Sequence, residues 1–398
     1  MATITATETA LTHDALVARA AGLIGELRAR RGEAEKLRRV PDANIAAVRA
    51  AGLLKVLQPR SAGGYEMSLH THLDVVSAIG RGCGATAWCM GVMHAHSWLL
   101  ALYPEAAQDD VFAANPDTII SAVIAPRGTA RIVPGGYVLS GTWPFASGCE
   151  HSDWLLLGAM VANEDGIVDE GDFLLPTADV TIKDDWHVAG LRGTGSCSVA
   201  VKDLFVPPHR FLSLRQAGEG KAPGLARNDG SLYRSALVPF LTLALVPAGI
   251  GMAQAALGDF MARLPGRVVA YTAGEQQIAM PVTHLQIAEA ATKIDTAHLV
   301  AHSIAEALES AARGGTTMPP VQRAKLRVDC AYAARLCLEA VEILYLASGG
   351  SGIAESNPVQ QAWRDLHAVN MHGILNLQTA QELYGRVLLG LPANSPFI

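Results

Sequence analysis

The chain has 398 residues, of which 50% are hydrophobic and 17% charged, with a net charge of −6 from 31 basic and 37 acidic residues. A chain of this length and apolar content can bury a large core and is expected to divide into two or three domains. The slight acidic excess, with no basic arm or arginine-rich stripe, excludes an electrostatic footprint for nucleic acid.

Targeting, membrane and redox signals are weak along the chain. The first residues lack the charged-then-apolar pattern of a signal peptide, and Pro239 and Pro247 interrupt the apolar run 236–252. We therefore expect no membrane span and a cytoplasmic location. The six cysteines include no CxxC pair, and the thirteen histidines show neither HExxH nor a paired Cys/His spacing. Reduced core cysteines and no metal site are expected.

Residues 1–118 are predicted to form an N-terminal helical domain. Asp42 is a plausible N-cap, and Gly52 closes the helix that follows it. Glycines up to Gly84 separate another helix from an apolar helix at 85–103. The helical periodicity of the apolar positions supports this reading.

Residues 119–215 change character and are predicted to form the central β domain. Short runs rich in Val, Ile, Thr and aromatic residues alternate there with Gly and Pro turns. This pattern predicts a β-barrel or sandwich, with residues 202–207 as its last strand.

Residues 216–398 return to long helices and form the third predicted domain. Helices are expected at 281–313 and 319–348, and a third begins at Pro358 and runs to about residue 389. The predicted fold class is therefore α+β, with an N-terminal helical domain, a central β-barrel and a C-terminal antiparallel helix bundle. No GxGxxG after a strand and no GKS/T loop is present, so a Rossmann dinucleotide site is not expected.

The stretch LSGTWPFASGCEHSDW at 139–154 is the first candidate for chemistry. Strand alternation would place Trp143, Phe145 and Ser147 on one face. Aromatic walls and a hydroxyl beside Gly148, which permits close approach, suit a flat ring. A half-buried strand that ends in a turn is the alternative.

Histidines provide two further candidates. His94 and His96 point to roughly opposite sides of an apolar helix, so at most one faces a given cavity. A buried His96 would need a partner or lose its charge, and a satisfied core histidine is the alternative. Asp365 and His372 are seven apart and would stack on one face of the last long helix, where a histidine near a carboxylate can be a general base. Pairing of Asp365 with Arg364 is the alternative.

The loop GLRGTGS at 190–196 offers hydroxyls and flexible backbone amides. Such a loop can wrap a polar ring edge or a phosphate, although an ordinary glycine turn fits the same letters. No GxSxG elbow is present, so a serine nucleophile is not expected.

Several long stretches, in the same order, resemble the acyl-CoA dehydrogenase superfamily. Within it they are similar to flavin-dependent monooxygenases that use reduced FMN from a separate reductase, the group of p-hydroxyphenylacetate hydroxylases and actinorhodin-type phenolic polyketide hydroxylases. The resemblance runs almost end to end and rests on EKLRRVPDANI (35–45), SAGGYEMSL (61–69), GATAWCMG (84–91), SGTWPFASGCEHSDW (140–154), DDWHVAGLRGTGS (184–196) and QQAWRDLHAVNMHG (360–373).

His372 distinguishes the monooxygenases from the dehydrogenases. Many dehydrogenases have a catalytic glutamate near this position, in YEGT, whereas this chain has Met371, His372 and Gly373. Others carry the glutamate on the helix after the barrel, yet Asp229 is the only carboxylate between 221 and 258. Abstraction of an α-proton from a thioester therefore has no evident base.

The resemblance implies roles for residues near the flavin. Ser147 would hydrogen-bond near N5 and steady a C4a-hydroperoxide, and Trp143 and Phe145 would flank the isoalloxazine. Thr194 and Ser196 would contact its polar edge.

It also implies a substrate pocket and a phosphate contact. His96 and Val238 would line the pocket, and His372, with His96, would promote phenolate character. An arginine stands near the position of Val238 in the hydroxyphenylacetate enzymes, so a carboxylated phenol is not expected here. Arg267 would contact the flavin phosphate region of a neighbouring subunit.

The implied function is hydroxylation of a phenolic, indolic or polyketide-like small molecule with O2 and reduced FMN, or alternatively FAD. An NAD(P)H-dependent flavin reductase would supply the reduced flavin, and a homotetramer is implied. An N- or S-oxygenase, a true acyl-CoA dehydrogenase and a non-catalytic flavin-fold binding protein are the alternatives.

Overall fold

The structure, a computed structural model, describes residues 11–395 and residue 398. Part of the stretch on which the signal-peptide prediction rests, residues 1–10, lies outside the described residues. Five helices precede the sheet: α1 (His13–Leu37), α2 (Asp42–Ala50), α3 (Leu69–Gly82), α4 (Gly84–Leu100) and α5 (Glu105–Phe112). Side chains cap two of them, since Thr12 accepts from the amide of Ala15 and Ser68 from that of Thr71.

Helix α4 lies at the centre of the molecule. Every residue of the helix after Gly84 is buried. A helix that is apolar all round belongs to a core. Ile120 and Leu156, on strands of the sheet, and Ile250, on a C-terminal helix, share one hydrophobic core with α4. Polar groups on α4 therefore sit between the sheet and the helical bundle.

Seven strands form one sheet in the order β5-β6-β2-β1-β3-β4-β7. The strands are β1 (Ile120–Val133), β2 (Gly136–Trp143), β3 (Trp154–Asn163), β4 (Gly166–Pro176), β5 (Thr181–Lys183), β6 (Ser198–Val206) and β7 (Phe211–Ser213). β1 and β3 pair in parallel, and the other neighbouring strands pair antiparallel.

The sheet is not closed into the predicted barrel. Its two outer strands, β5 and β7, have three residues each, and in the described part of the chain they do not pair with each other. A barrel requires its first and last strands to meet. The prediction of a β-sheet in this part of the chain is confirmed, and the prediction that the sheet closes into a barrel is wrong.

The C-terminal helices follow a short helix, α6 (Leu214–Gly218). They are α7 (Leu237–Leu243), α8 (Val246–Ala262), α9 (Pro281–Arg313), α10 (Pro320–Ala347), α11 (Pro358–Asn370) and α12 (Leu377–Leu388). The predicted helix at 281–313 is confirmed residue for residue, and α10 differs from its prediction by one residue at each end.

The predicted third long helix is two helices. α11 ends at Asn370, and Asn376 caps α12 by accepting from the amide of Thr379. His372 lies in the connection between them. Asp365 and His372 therefore do not share a helical face, which corrects that prediction.

The apolar stretch Leu237–Ala262 is long and apolar enough to cross a membrane, but 89% of its most apolar window is buried inside the structure. This burial is typical of a core helix.

All six cysteines are free and buried, as predicted. The division at residues 118 and 215 stays a prediction.

Candidate active site

The chain leaves the sheet after β2 in a turn from Phe145 to Gly148, called the Ser147 turn. β2 ends at Trp143, and both Phe145 and Gly148 have left-handed backbone angles, with φ of 71° and 70°. The left-handed φ at Gly148 favours glycine, and a Cβ there would lie 2.8 Å from the Cε of Met93 on α4, which would have to move.

This turn ends the predicted alternation. Trp143 is fully buried inside the sheet, where its indole N–H donates to the carbonyl of Gly158 at 2.6 Å. Phe145 is 64% exposed and makes an edge-to-face contact with Trp186 at 5.9 Å. The expectation that Trp143, Phe145 and Ser147 share one face is therefore wrong, because the strand does not continue to Phe145.

A chain of hydroxyl groups connects the Ser147 turn to the 190–196 loop. The indole N–H of Trp88 donates to Ser147 Oγ at 3.1 Å. Ser147 Oγ lies 2.7 Å from Ser196 Oγ, which lies 2.7 Å from Thr194 Oγ1. The hydroxyl of Thr194 donates to the carbonyl of Leu191 at 2.8 Å.

The carbonyl at one end fixes the direction of every proton in this hydroxyl chain, and the indole N–H at the other end agrees with it. A carbonyl only accepts and an indole N–H only donates. Thr194 donates its only hydroxyl proton to the carbonyl of Leu191. Ser196 must therefore donate its proton to Thr194, and Ser147 must donate its proton to Ser196. Thr194 and Ser196 are buried and Ser147 is half-buried. Ser147 is therefore the end of the hydroxyl chain at which another group can approach.

Asp365 holds the loop that carries two of these hydroxyls. Its Oδ1 accepts from the amide of Leu191 at 2.6 Å, and its side chain is buried. Burial, with Glu35 nearby, raises the pKa of Asp365 to about 7. Arg364 pairs with Glu35 at 2.8 Å, which leaves Asp365 to the loop. Sequence reasoning did not find this role, because it joins residues 174 positions apart.

The structure gives His94 and His96 different hydrogen-bond partners. His94 Nε2 donates to the carbonyl of Leu53 at 2.5 Å, and its Nδ1 lies 3.0 Å from Nδ1 of His72. Both ring nitrogens of His94 are therefore committed. His96 Nδ1 donates to the carbonyl of Ile120 at 3.0 Å, which leaves the lone pair on Nε2 uncommitted. Burial lowers the pKa of each ring to about 4, so both are neutral at pH 7.

His372 lies beside the other end of α4. Its ring centroid is 5.7 Å from that of Trp88, and the Ile374 amide donates to its Nδ1 at 3.4 Å. His372 is an exposed residue. With Nδ1 as the acceptor, the neutral ring presents an N–H at Nε2.

The remaining predicted residues lie on other elements. Val238 is buried in α7. Arg267 lies between α8 and α9 and donates to the carbonyl of Ser348 at the end of α10. Trp88 is a site residue that sequence reasoning missed. It stands in one of the stretches that carry the family resemblance, but periodicity alone does not tell which polar atom its N–H meets.

Known proteins match nearly the whole length of the chain. Residues 243–377 match the model of the acyl-CoA dehydrogenase C-terminal domain. The chain is 35% identical to the oxygenase subunit HsaA of a flavin-dependent monooxygenase from Rhodococcus jostii, with 94% of this chain and 98% of that protein covered. It is 36% identical to the oxygenase component of an FADH2-dependent resorcinol hydroxylase from Rhizobium sp., with 95% of each covered. The solved structure of XiaF from Streptomyces sp. with FADH2 and glycerol superposes with a TM-score of 0.90 at 32% identity, covering 96% of this chain and 97% of that one.

The fold, one sheet packed with helices around a buried central helix, is that of the flavin-dependent oxidoreductases of acyl-CoA dehydrogenase architecture. The chain belongs to the flavin-dependent monooxygenases of that architecture, as the oxygenase component of a two-component system that hydroxylates aromatic compounds. A reductase is its partner in that system.

Proposed function

We propose that the chain hydroxylates an uncharged phenolic small molecule, with the reduced flavin bound against the hydroxyl chain formed by Ser147, Ser196 and Thr194. The single observation that carries this proposal is the direction of the protons in that chain. Ser147 Oγ accepts from Trp88 and donates to Ser196, so its second lone pair is available to an N–H donor. The N5 position of a reduced flavin is such a donor.

The residues around Ser147 fit the ring of a flavin. The hydroxyl chain is neutral, and Phe145 offers an exposed aromatic surface beside Trp186. Trp143 is not part of this proposed site because its indole is buried within the sheet. When bound, the reduced flavin supplies the electrons that activate O2 for transfer to the substrate.

The walls of the proposed substrate pocket come from α4. Trp88, Val92 and His96 are spaced four residues apart along one side of the helix, and all three are buried. His96 lies about 12 Å along the axis from Trp88, from a rise of 1.5 Å per residue. A dry pocket of this kind protects the flavin chemistry from water.

The two histidines supply different groups to this pocket. His96 offers a lone pair at Nε2, which can accept the hydrogen bond of a phenol and raise the electron density of its ring. His372 offers an N–H at Nε2, which can orient the substrate oxygen. His96 is thus the proposed acceptor, and His372 the proposed donor.

The substrate class rests on one position and one relative. Val238 is an apolar residue on α7, so it provides no cation for a carboxylated phenol. The relative from Rhizobium is a resorcinol hydroxylase. We therefore expect phenols without a carboxylate as substrates, and N- or S-oxygenation as the alternative within the family.

The form of the flavin and the assembly are also proposals. Since the Rhizobium relative is FADH2-dependent, we expect reduced FAD to be accepted, with the FMN first predicted from the sequence as the alternative. Arg267 as a phosphate contact, a homotetramer, an NAD(P)H-dependent reductase and a cytoplasmic location stay predictions.

The test of this function is a single turnover with chemically reduced FAD or FMN, labelled 18O2 and paired phenols with and without a carboxylate. We expect one labelled oxygen atom in the product of the uncharged phenol. Reduction of a bound oxidised flavin by an acyl-CoA thioester, without label incorporation, would instead identify a dehydrogenase.

A further inference from the structure

A cluster of histidines and carboxylates joins α3 to α9, outside the proposed flavin site. Asp74 and His70 come from α3, and His298 and His302 come from α9. His13, at the start of α1, approaches the other oxygen of Asp74 at 3.4 Å. None of these residues belongs to the hydroxyl chain or to α4.

Three ligand atoms in this cluster converge on one point. Nε2 of His298 and Nε2 of His302 each lie 3.0 Å from Oδ1 of Asp74, and the two nitrogens lie 3.2 Å apart. Zinc bonds of 2.0–2.1 Å in tetrahedral geometry place neighbouring ligand atoms roughly 3.3 Å apart. The three atoms are thus already near the separations that a metal ion imposes.

A fourth residue supports the orientation of one of these rings. Nδ1 of His302 lies 2.7 Å from Nδ1 of His70, whose Nε2 lies 3.6 Å from Oε2 of Glu306. Metal-bound histidines commonly donate their second ring N–H to such a partner. With a metal on Nε2, His302 would carry its proton on Nδ1 and donate it to His70.

We propose that Asp74, His298 and His302 bind a divalent transition metal ion of the zinc class and so tie α9 to α3. Two imidazoles and one carboxylate favour Zn²⁺, Co²⁺ or Ni²⁺ over Mg²⁺ and Ca²⁺, which prefer all-oxygen ligand sets. All three side chains are partly exposed, so an ion can enter from solvent and keep water as a further ligand.

The sequence predicted no metal site, because the three proposed ligands do not lie close together along the chain. His298 and His302 are spaced i, i+4, which places two imidazoles on one helical face. Their carboxylate partner lies 224 residues away from His298, on another helix. Only the packing of α3 against α9 brings the third ligand into place.

The test uses the full chain after treatment with a chelator, at pH 8. Titration with Zn²⁺ is followed by calorimetry, and Co²⁺ is followed by its visible absorption in a protein-bound site. We expect one ion per chain, a higher melting temperature with metal, and no comparable site for Mg²⁺. His70→Ala should weaken affinity about 10–100-fold, as loss of a partner of a ligand does.

The ligand variants are His298→Gln, His302→Gln and Asp74→Asn, and the matched control is His209→Gln. His209 is also a histidine that pairs with a carboxylate, Asp110, but it has no second imidazole beside it. Ligand variants should lose the Co²⁺ spectrum and keep flavin binding, which shows that they are folded, whereas the control should bind as the original chain does. Absence of Co²⁺ absorption from the original chain, or binding that the ligand variants leave unchanged, would overturn the proposal.

Discussion

The indole N–H of Trp88 donates to the hydroxyl oxygen of Ser147 at 3.1 Å, at the α4 end of the hydroxyl chain. At the opposite end Thr194 donates its proton to the carbonyl of Leu191, so Ser196 donates to Thr194 and Ser147 donates its own proton to Ser196. Trp88 therefore occupies one lone pair of Ser147 and leaves the second for another donor.

Replacing Trp88 by phenylalanine keeps most of the aromatic surface and removes this donor. We expect Trp88→Phe to raise the ratio of released hydrogen peroxide to hydroxylated product about 2–10-fold, since a net hydrogen bond contributes about 0.5–1.5 kcal/mol. Trp363→Phe is the matched control, because its N–H contacts Glu342 away from the hydroxyl chain. Equal ratios for the two variants would contradict the role given to Trp88.

Asp365 should act through the loop and not through proton transfer. Asp365→Ala leaves the buried amide of Leu191 without an acceptor, at a cost of about 1–3 kcal/mol in the free energy of unfolding. The loss should also weaken flavin binding, measured by quenching of flavin fluorescence. Asp365→Asn retains an oxygen acceptor and should keep flavin affinity. An asparagine variant as defective as the alanine variant would show that the charge matters.

His96 and His94 should separate activity from stability. His96→Gln replaces the basic lone pair of the imidazole by a very weakly basic amide oxygen, and we expect hydroxylation to slow on the order of 100-fold, the low end of the contribution of a general base. His94→Gln breaks contacts to Leu53 and His72 and should lower the melting temperature more than the rate per folded molecule. Single-turnover rates and thermal melts of both variants test this; a reversed pattern would exchange the two roles.

Acid should destabilise the chain through its buried histidines. Burial lowers the pKa of His94 and His96 from 6.5 to about 4. Between these two pH values each ring is protonated in the unfolded chain and neutral in the folded chain. The free energy of unfolding is therefore highest above pH 6.5, and it falls by about 3 kcal/mol for each ring as the pH is lowered to 4.

Urea unfolding at several pH values between 6.5 and 5 measures this loss. The free energy of unfolding should decrease as the pH is lowered from 6.5 to 5. His96→Gln should reduce the slope of this free energy against pH by the equivalent of about one proton. His209→Gln, at a half-buried histidine that contacts Asp110 outside the core, is the control. A flat profile in the original chain would show that the buried rings carry protons in the folded state.

Much of the architecture followed from local patterns in the sequence. The bounds of α9 agree with the prediction residue for residue, and Pro281 stands at its first position, where proline is favoured. The break after Asn370 was not predicted, because the apolar periodicity continues through it. The second helix begins where the Asn376 side chain accepts from the amide of Thr379, a contact that periodicity does not reveal.

The open sheet and the Ser147 turn depended on contacts that local patterns do not encode. Short strands with turns are equally typical of a barrel and of an open sheet, and pairing between edges decides between them. Phe145 left the predicted strand face because its backbone is left-handed. The residues of the hydroxyl chain were each predicted, on family resemblance, to contact the flavin, but their order and direction required distances.

The central claim is that Ser147 directs reduced flavin and O2 toward hydroxylation. The most direct measurement is the yield of hydroxylated product per reduced flavin in a single turnover, comparing Ser147→Ala with Ser140→Ala. Ser140 is a serine of the same segment that bonds Asp203 away from the hydroxyl chain. We predict that Ser147→Ala still binds flavin but releases most of the oxygen as hydrogen peroxide, while Ser140→Ala retains the original yield. An unchanged yield in Ser147→Ala would contradict the account.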